Sequence, residues 1–190
     1  MTKVFLIHGA YGTPTENWFP WLKKELEKLN CQVFVPKFPT PQNQTLQNWF
    51  FAFNSYLSKL DENSIVIGHS LGPAFLMRVL ETTNSTTLSK PIKSAFFIAP
   101  FIDFLDNPEF DEINRTFIEN NFDWKKIKSN CKKFVIYHSD NDPYVNLKYA
   151  KYVATKLNVD INIIPNAGHF NQASGYLQFT KLLEDIKKEL

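Results

Sequence analysis

Short apolar runs alternate with longer amphipathic segments along the whole chain, and this alternation constrains the fold most tightly. The runs are Val4–Ile7, "CQVFVP" at 31–36, "SIVIGHS" at 64–70, "KSAFFIAP" at 93–100, "KFVIYHS" at 133–139 and "DINIIP" at 160–165. Each is too short for a helix, and Val4–Ile7 is apolar at every position. They fit strands covered on both faces, as a parallel sheet requires. Between them the apolar residues recur three and four apart. Trp18, Trp21, Leu22, Leu26 and Leu29 mark a helix within 15–29 that starts near Pro20. Leu46, Trp49, Phe50, Phe53, Leu57 and Leu60 mark a second, over 45–60. "LGPAFLMRVLETT" is a third, with Pro73 placed where a first turn tolerates it. Shorter helical stretches are expected at 108–119 and 123–129, and longer ones at 146–157 and 174–189.

Strands and helices in strict alternation imply right-handed βαβ units. The expected architecture is a three-layer α/β domain spanning 1–190, with a mostly parallel six-stranded sheet and helices on both faces. A chain of 190 residues can bury one substantial core. The formal net charge of +2 gives no pull toward nucleic acid. Lys125, Lys126 and Lys128 read as a solvated helix face. Cys31 and Cys131 sit in no metal-ligand or redox spacing. Ahead of His8 the apolar run is only four residues long, too short for a signal peptide or a membrane span. The expectation is a soluble cytoplasmic protein with no membrane contact.

In a parallel sheet the chemistry gathers in the loops beyond the carboxyl ends of the strands. "IVIGHSLGP" at 65–73 places Ser70 between Gly68 and Gly72, after a buried run and before a helix. A serine N-cap flanked by turn glycines would look the same in isolation. The strand-to-helix placement selects the nucleophile elbow, a sharp turn that presents the serine hydroxyl. A serine needs a base within reach. Of the four histidines, His69 adjoins Ser70 and should point to the sheet side, His8 ends the first strand, and His138 lies inside the fifth. His169, in the "NAGHF" loop after the last strand, is free to reach the elbow and is the expected base. Three carboxylates compete to orient it: Asp103, Asp140 and Asp142. Asp142 is favoured, because Pro143 fixes the turn behind it and Tyr144-Val145 tuck the next segment inward. Asp140 is the candidate for shaping that turn through backbone N–H groups. The chain order Ser, Asp, His is that of α/β hydrolases. An oxyanion hole is expected from the Leu71 amide and from one in "HGAYG", with Ala10 ahead of Tyr11. "HGAYG" lacks the spacing of a P-loop or a dinucleotide site, so no cofactor and no metal is expected.

These pieces resemble the small α/β-hydrolase group typified by retinoblastoma-binding protein 9 and the bacterial YdeN-like serine hydrolases. The resemblance rests on "VFLIHGAYGTPTENWFPWLKKEL", "IVIGHSLG", "HSDNDPYV" and "NAGHF", which together span nearly the full chain. It implies the α/β-hydrolase fold without a cap domain and a carboxylesterase-like activity on small acyl esters, with an aminopeptidase-like activity also associated with the group. Residues 101–124 depart from the pattern and could shape the pocket in their own way. The reaction expected from the residues is acyl transfer to water through an acyl-Ser70 intermediate. An amidase using the same triad, or a protein-binding module on a hydrolase scaffold, are the alternatives. The partner expected is a small-molecule ester or amide; no protein partner is identified. Between Ser70 and Asp142 there is no room for a folded lid. An open pocket walled by Trp18, Phe101, Phe104, Tyr144 and Phe170 is expected.

Overall fold

In a computed structural model, residues 1–84 and 88–190 are described. Six strands form one sheet: β1 (Lys3–Ile7), β2 (Gln32–Phe34), β3 (Ser64–His69), β4 (Ser94–Ile98), β5 (Phe134–Ser139) and β6 (Ile161–Ile164). Their order across the sheet is β2-β1-β3-β4-β5-β6. Every neighbouring pair is parallel, so the sheet is wholly rather than mostly parallel. The reason is visible in the connections, since each successive pair of strands is joined through at least one helix and no tight hairpin occurs among the described residues.

Side-chain alternation divides the core in two. Val4 and Leu6, Ile65 and Ile67, and Phe96 and Ile98 face a layer built from α1 (Phe19–Lys28) and α7 (Thr180–Lys187). Phe5 and Ile7, Val66 and Phe97 face the other layer, which holds α2 (Leu46–Leu57), α3 (Gly72–Thr82), α4 (Pro108–Ile118), α5 (Trp124–Ser129) and α6 (Leu147–Leu157). With both faces covered, the strands can be apolar at nearly every position, as the sequence runs are.

Local chemistry sets the helix ends. Pro20 falls in the first turn of α1 and Pro108 in that of α4. Thr45, Asn107, Asp123 and Asn146 cap α2, α4, α5 and α6 with side-chain oxygens. Three boundaries differ from the sequence pattern, the first being that of α2, which ends at Leu57 and leaves Leu60 beyond it. The last helix begins at Thr180, because a short 3-10 turn at Gln172–Ser174 ends on Gly175 at φ 82°, and the chain runs irregularly to Phe179. The second strand is shorter than its apolar run and lies at the sheet edge.

α3 is the most enclosed helix, with Gly72 through Leu80 all buried. Among these stands Arg78, whose side chain is 4% exposed. Its guanidinium donates to the carbonyls of Phe117, Asn120 and Asn121 and pairs with Glu81 at 3.0 Å. It also lies 3.7 Å from the centroid of the Phe122 ring. One buried cation thus satisfies the chain leaving α4 and fastens it to α3. No helix among the described residues is long and apolar enough to cross a membrane.

The strand order fixes where a site can form. The chain leaves β1 toward α1 on one face and leaves β3 toward α3 on the other. Adjacent strands whose exits diverge open a crevice at their carboxyl ends, the topological switch point of the sheet. Gly9 and Ala10 follow β1 there, and Ser70 follows β3.

Candidate active site

Ser70 occupies the left-handed region at φ 58°, which a non-glycine residue adopts only under constraint. Its own amide still donates to Ile98 O at 2.9 Å, so the ladder holds the turn from one side. The glycines around it answer to crowding. A Cβ at Gly68 would stand 2.5 Å from the Pro73 nitrogen, and one at Gly72 would stand 2.5 Å from the Ile7 carbonyl oxygen. At Gly9, on the facing loop, a Cβ would meet Ser70 Cβ at 2.7 Å. The strand, the helix and the loop after β1 therefore converge on one serine, and only hydrogen fits at the three positions.

The loop after β1 is fixed through one carbonyl. His8 Nδ1–H donates to Gly9 O at 2.8 Å and the Gly12 amide donates to it at 3.2 Å. The other ring nitrogen of His8, Nε2, accepts the Phe38 amide at 3.2 Å, which sets the tautomer. Burial holds the His8 pKa below its ordinary value, against the bond to Gly9, so the ring is neutral. The Gly9 carbonyl and the Ala10 N–H share a peptide plane, so anchoring one aims the other. Tyr11, at φ 58°, commits its amide to Thr40 Oγ1 at 2.6 Å. The amides of Ala10 and Leu71 have no protein acceptor among the described residues. Of the two candidates in "HGAYG", Ala10 is thus the one with a free donor.

Across the crevice, His169 Nδ1 bonds Asp142 Oδ2 at 2.8 Å, and the Asp142 side chain is 1% exposed. The second oxygen, Oδ1, accepts the amides of Tyr144 at 2.9 Å and Val145 at 3.0 Å. Burial opposes ionisation of Asp142. The His169 bond and charge and the two amides outweigh it and hold the carboxyl below its usual range. Asp140 and Asp103 do other work. Asp140 Oδ1 accepts the Asn166 amide at 2.8 Å, and Asp103 accepts the amide of its neighbour Phe104.

A run of four side chains ties the turn after β5 to the loop after β6. Ser139 Oγ accepts the Ala167 amide at 3.0 Å, Asp140 accepts that of Asn166, and Asn141 Oδ1 accepts that of Gly168 at 2.8 Å. Asp142 then takes the ring of His169. Ser139 Oγ–H also donates to Asn141 Oδ1 at 2.6 Å, which orients that carboxamide. His69 supports the same loop from beneath, with its Nε2–H donating to His169 O at 2.7 Å and its ring 4.8 Å from that of His169. Burial, helped by the nearby positive character of His169, pushes the pKa of His69 down to about 3, so it stays neutral.

Ser70, His69 and His169 line a cavity of about 250 Å³ together with Ala10 and Glu16. Of the expected walls, Phe101 and Tyr144 line it. Trp18 and Phe170 do not: they are fully buried beneath the site, where Trp18 Nε1–H donates to Phe170 O at 3.0 Å and the Phe170 ring stacks on Phe179. Phe104 lines a separate cavity. The idiosyncratic segment 101–124 contributes Leu105, Phe110 and Asn114 instead. The first turn of α4 therefore contributes Phe110 to the pocket lining.

A family model described as serine hydrolase matches residues 4–188. The chain belongs to the serine hydrolase family. This serine hydrolase is 29% identical over 177 residues to the YdeN hydrolase of Bacillus subtilis (strain 168), covering 93% of this chain and 90% of that one. It is 26% identical over 194 residues to serine hydrolase RBBP9 of Rattus norvegicus, covering 100% of this chain and 96% of that protein. The crystal structure of the Bacillus subtilis ydeN product superposes with a TM-score of 0.91 at 25% identity, over 100% of this chain and 98% of that one. The resemblance read from the motifs is thereby shown, and the fold of this serine hydrolase is that of the α/β hydrolases.

Proposed function

We propose that the chain hydrolyses small carboxylic esters through an acyl-Ser70 intermediate. The observation that carries this reading is the His169–Asp142 bond at 2.8 Å, with His169 and the strained Ser70 on one cavity wall. Asp142 keeps the proton on His169 Nδ1 and leaves Nε2 free to act as base. Ser70 Oγ bonds to the ester carbonyl carbon while its proton passes to Nε2. The oxyanion that forms accepts from the Ala10 and Leu71 amides, which cost no reorganisation because both are already fixed. The C–O bond to the alcohol then breaks, and the alkoxide leaves with the proton from Nε2. Water repeats the sequence on the acyl-enzyme: its proton goes to Nε2, its oxygen joins the carbonyl carbon, and Ser70 departs reprotonated.

The test is labelling with a fluorophosphonate, followed by a screen of p-nitrophenyl esters of graded chain length. Labelling confined to Ser70, and turnover lost by about 10⁶ in Ser70→Ala, is the expected result. Wild-type turnover in Ser70→Ala would overturn the mechanism.

A further inference from the structure

One carboxylate at the site has no part in that mechanism. Glu16, in the loop between β1 and α1, lines the cavity that Ser70 and His169 share, where no lysine or arginine is found. Gly12 makes room for it, since a Cβ there would stand 2.7 Å from Glu16 Oε1. Burial raises the pKa of Glu16, against the Thr13 amide it accepts and the charge of His169. His169 does not need it, because Asp142 already holds Nδ1. The same cavity carries an aromatic rim, at which Tyr11 donates its hydroxyl proton to Glu109. Tyr11 packs edge-on to Phe110 at 5.9 Å, Phe110 to Tyr144 at 6.1 Å, and Tyr144 to His169 at 5.1 Å. All three rim rings line the cavity, and Tyr11 and Tyr144 remain 42% and 49% exposed.

A carboxylate and aromatic rings lining one cavity attract alkylammonium groups, by Coulomb attraction and by the ring quadrupoles. It repels carboxylates and phosphates. We propose that Glu16 and the rim of Tyr11, Phe110 and Tyr144 select esters carrying an alkylammonium group. This assignment rests on the ester-hydrolase reading and gives its substrate class.

The experiment compares isosteric pairs that differ only in charge. Butyrylcholine is set against 3,3-dimethylbutyl butyrate, which places the cation in the alcohol. The p-nitrophenyl ester of 4-(trimethylammonio)butanoate is set against that of 5,5-dimethylhexanoate, which places it in the acyl group. At low ionic strength the wild-type chain is expected to favour the cation by about tenfold in kcat/KM in at least one pair, and added salt should shrink the ratio. Glu16→Gln, whose amide oxygen can still accept from Thr13, should bring that ratio within about threefold of one, a loss of the Coulomb attraction. The proposal is overturned if wild type prefers the neutral isostere in both pairs. It is equally overturned if Glu16→Gln slows both members alike and keeps the ratio, the signature of a purely structural carboxylate. Failure of the underlying reading looks different: Ser70 resists the fluorophosphonate and neither ester turns over.

Discussion

Exchanging Asp142 for asparagine tests the hydrogen-bond logic of the site with almost no change of shape. Oδ1 accepts two buried amides, from Tyr144 and Val145, and Oδ2 faces His169 Nδ1. An asparagine must place its carbonyl oxygen where Oδ1 was. Turned the other way, its NH₂ would confront two N–H donors and strand both, at a cost of about 1–3 kcal/mol each. The NH₂ therefore faces His169, whose Nδ1 must then accept. That moves the imidazole proton to Nε2, the position that has to receive the proton from Ser70. The loss expected is about 10⁴ in kcat, the size seen when a triad aspartate becomes asparagine in a serine protease, or about 5.5 kcal/mol of barrier. The assay is hydrolysis of p-nitrophenyl acetate, with the rate of fluorophosphonate labelling as a second readout. Nitrogen chemical shifts of His169 report the tautomer directly. A variant that is folded and retains kcat within tenfold of wild type would refute the argument, as would a His169 that keeps its proton on Nδ1.

Acid stability should report the buried neutral histidines. The His69 pKa lies near 3 in the fold against about 6.5 for a free imidazole, and burial lowers those of His8 and His138 as well. Below about pH 6.5 the unfolded chain binds protons that the folded chain refuses, so stability falls as pH falls. By pH 5, His69 alone accounts for about 2 kcal/mol relative to neutral and alkaline pH. Urea unfolding of His69→Gln should show a correspondingly flatter decline, and an unchanged pH dependence would contradict it. Arg78→Met should cost about 2–4 kcal/mol in the same assay, because it leaves the carbonyls of Phe117, Asn120 and Asn121 and the Glu81 carboxylate without their donor. A loss below about 1 kcal/mol would mean that solvent replaces those bonds.

Most of the fold is legible in the sequence because each of its signals is local. Six apolar runs and the prolines at 20 and 73 fall where the structure has strands and helix starts. What is not local fails to show. The sequence around 174–179 has helical spacing, yet the 3-10 turn and Gly175 delay α7 to Thr180. Arg78 is one polar residue in the otherwise apolar run of α3. Its burial depends on carbonyls some forty positions downstream, which no pattern within α3 announces. The pocket walls divide in the same way. Trp18 and Phe170 are close in sequence to Glu16 and His169, but their large rings lie in the core beneath the site, while Phe110 and Asn114 reach it from α4.

The loops beyond β5 and β6 show how far a spacing argument can go. It can single out Asp142 by its proline and His169 by elimination, because each judgement concerns one residue and its neighbours. The match between the two loops involves pairs. Ser139, Asp140 and Asn141 accept the amides of Ala167, Asn166 and Gly168, so the histidine is presented to Asp142 by backbone bonds that do not involve its ring. In the sequence, "HSDND" shows only polar residues of the kind found in any turn. The polar residues flanking Asp142 become intelligible once the partner loop stands beside them: three small acceptors hold its backbone from one side, His69 at the end of β3 holds the His169 carbonyl, and Asp142 holds the base. A free loop would leave His169 to find its aspartate at an entropic cost, whereas this one is registered residue by residue.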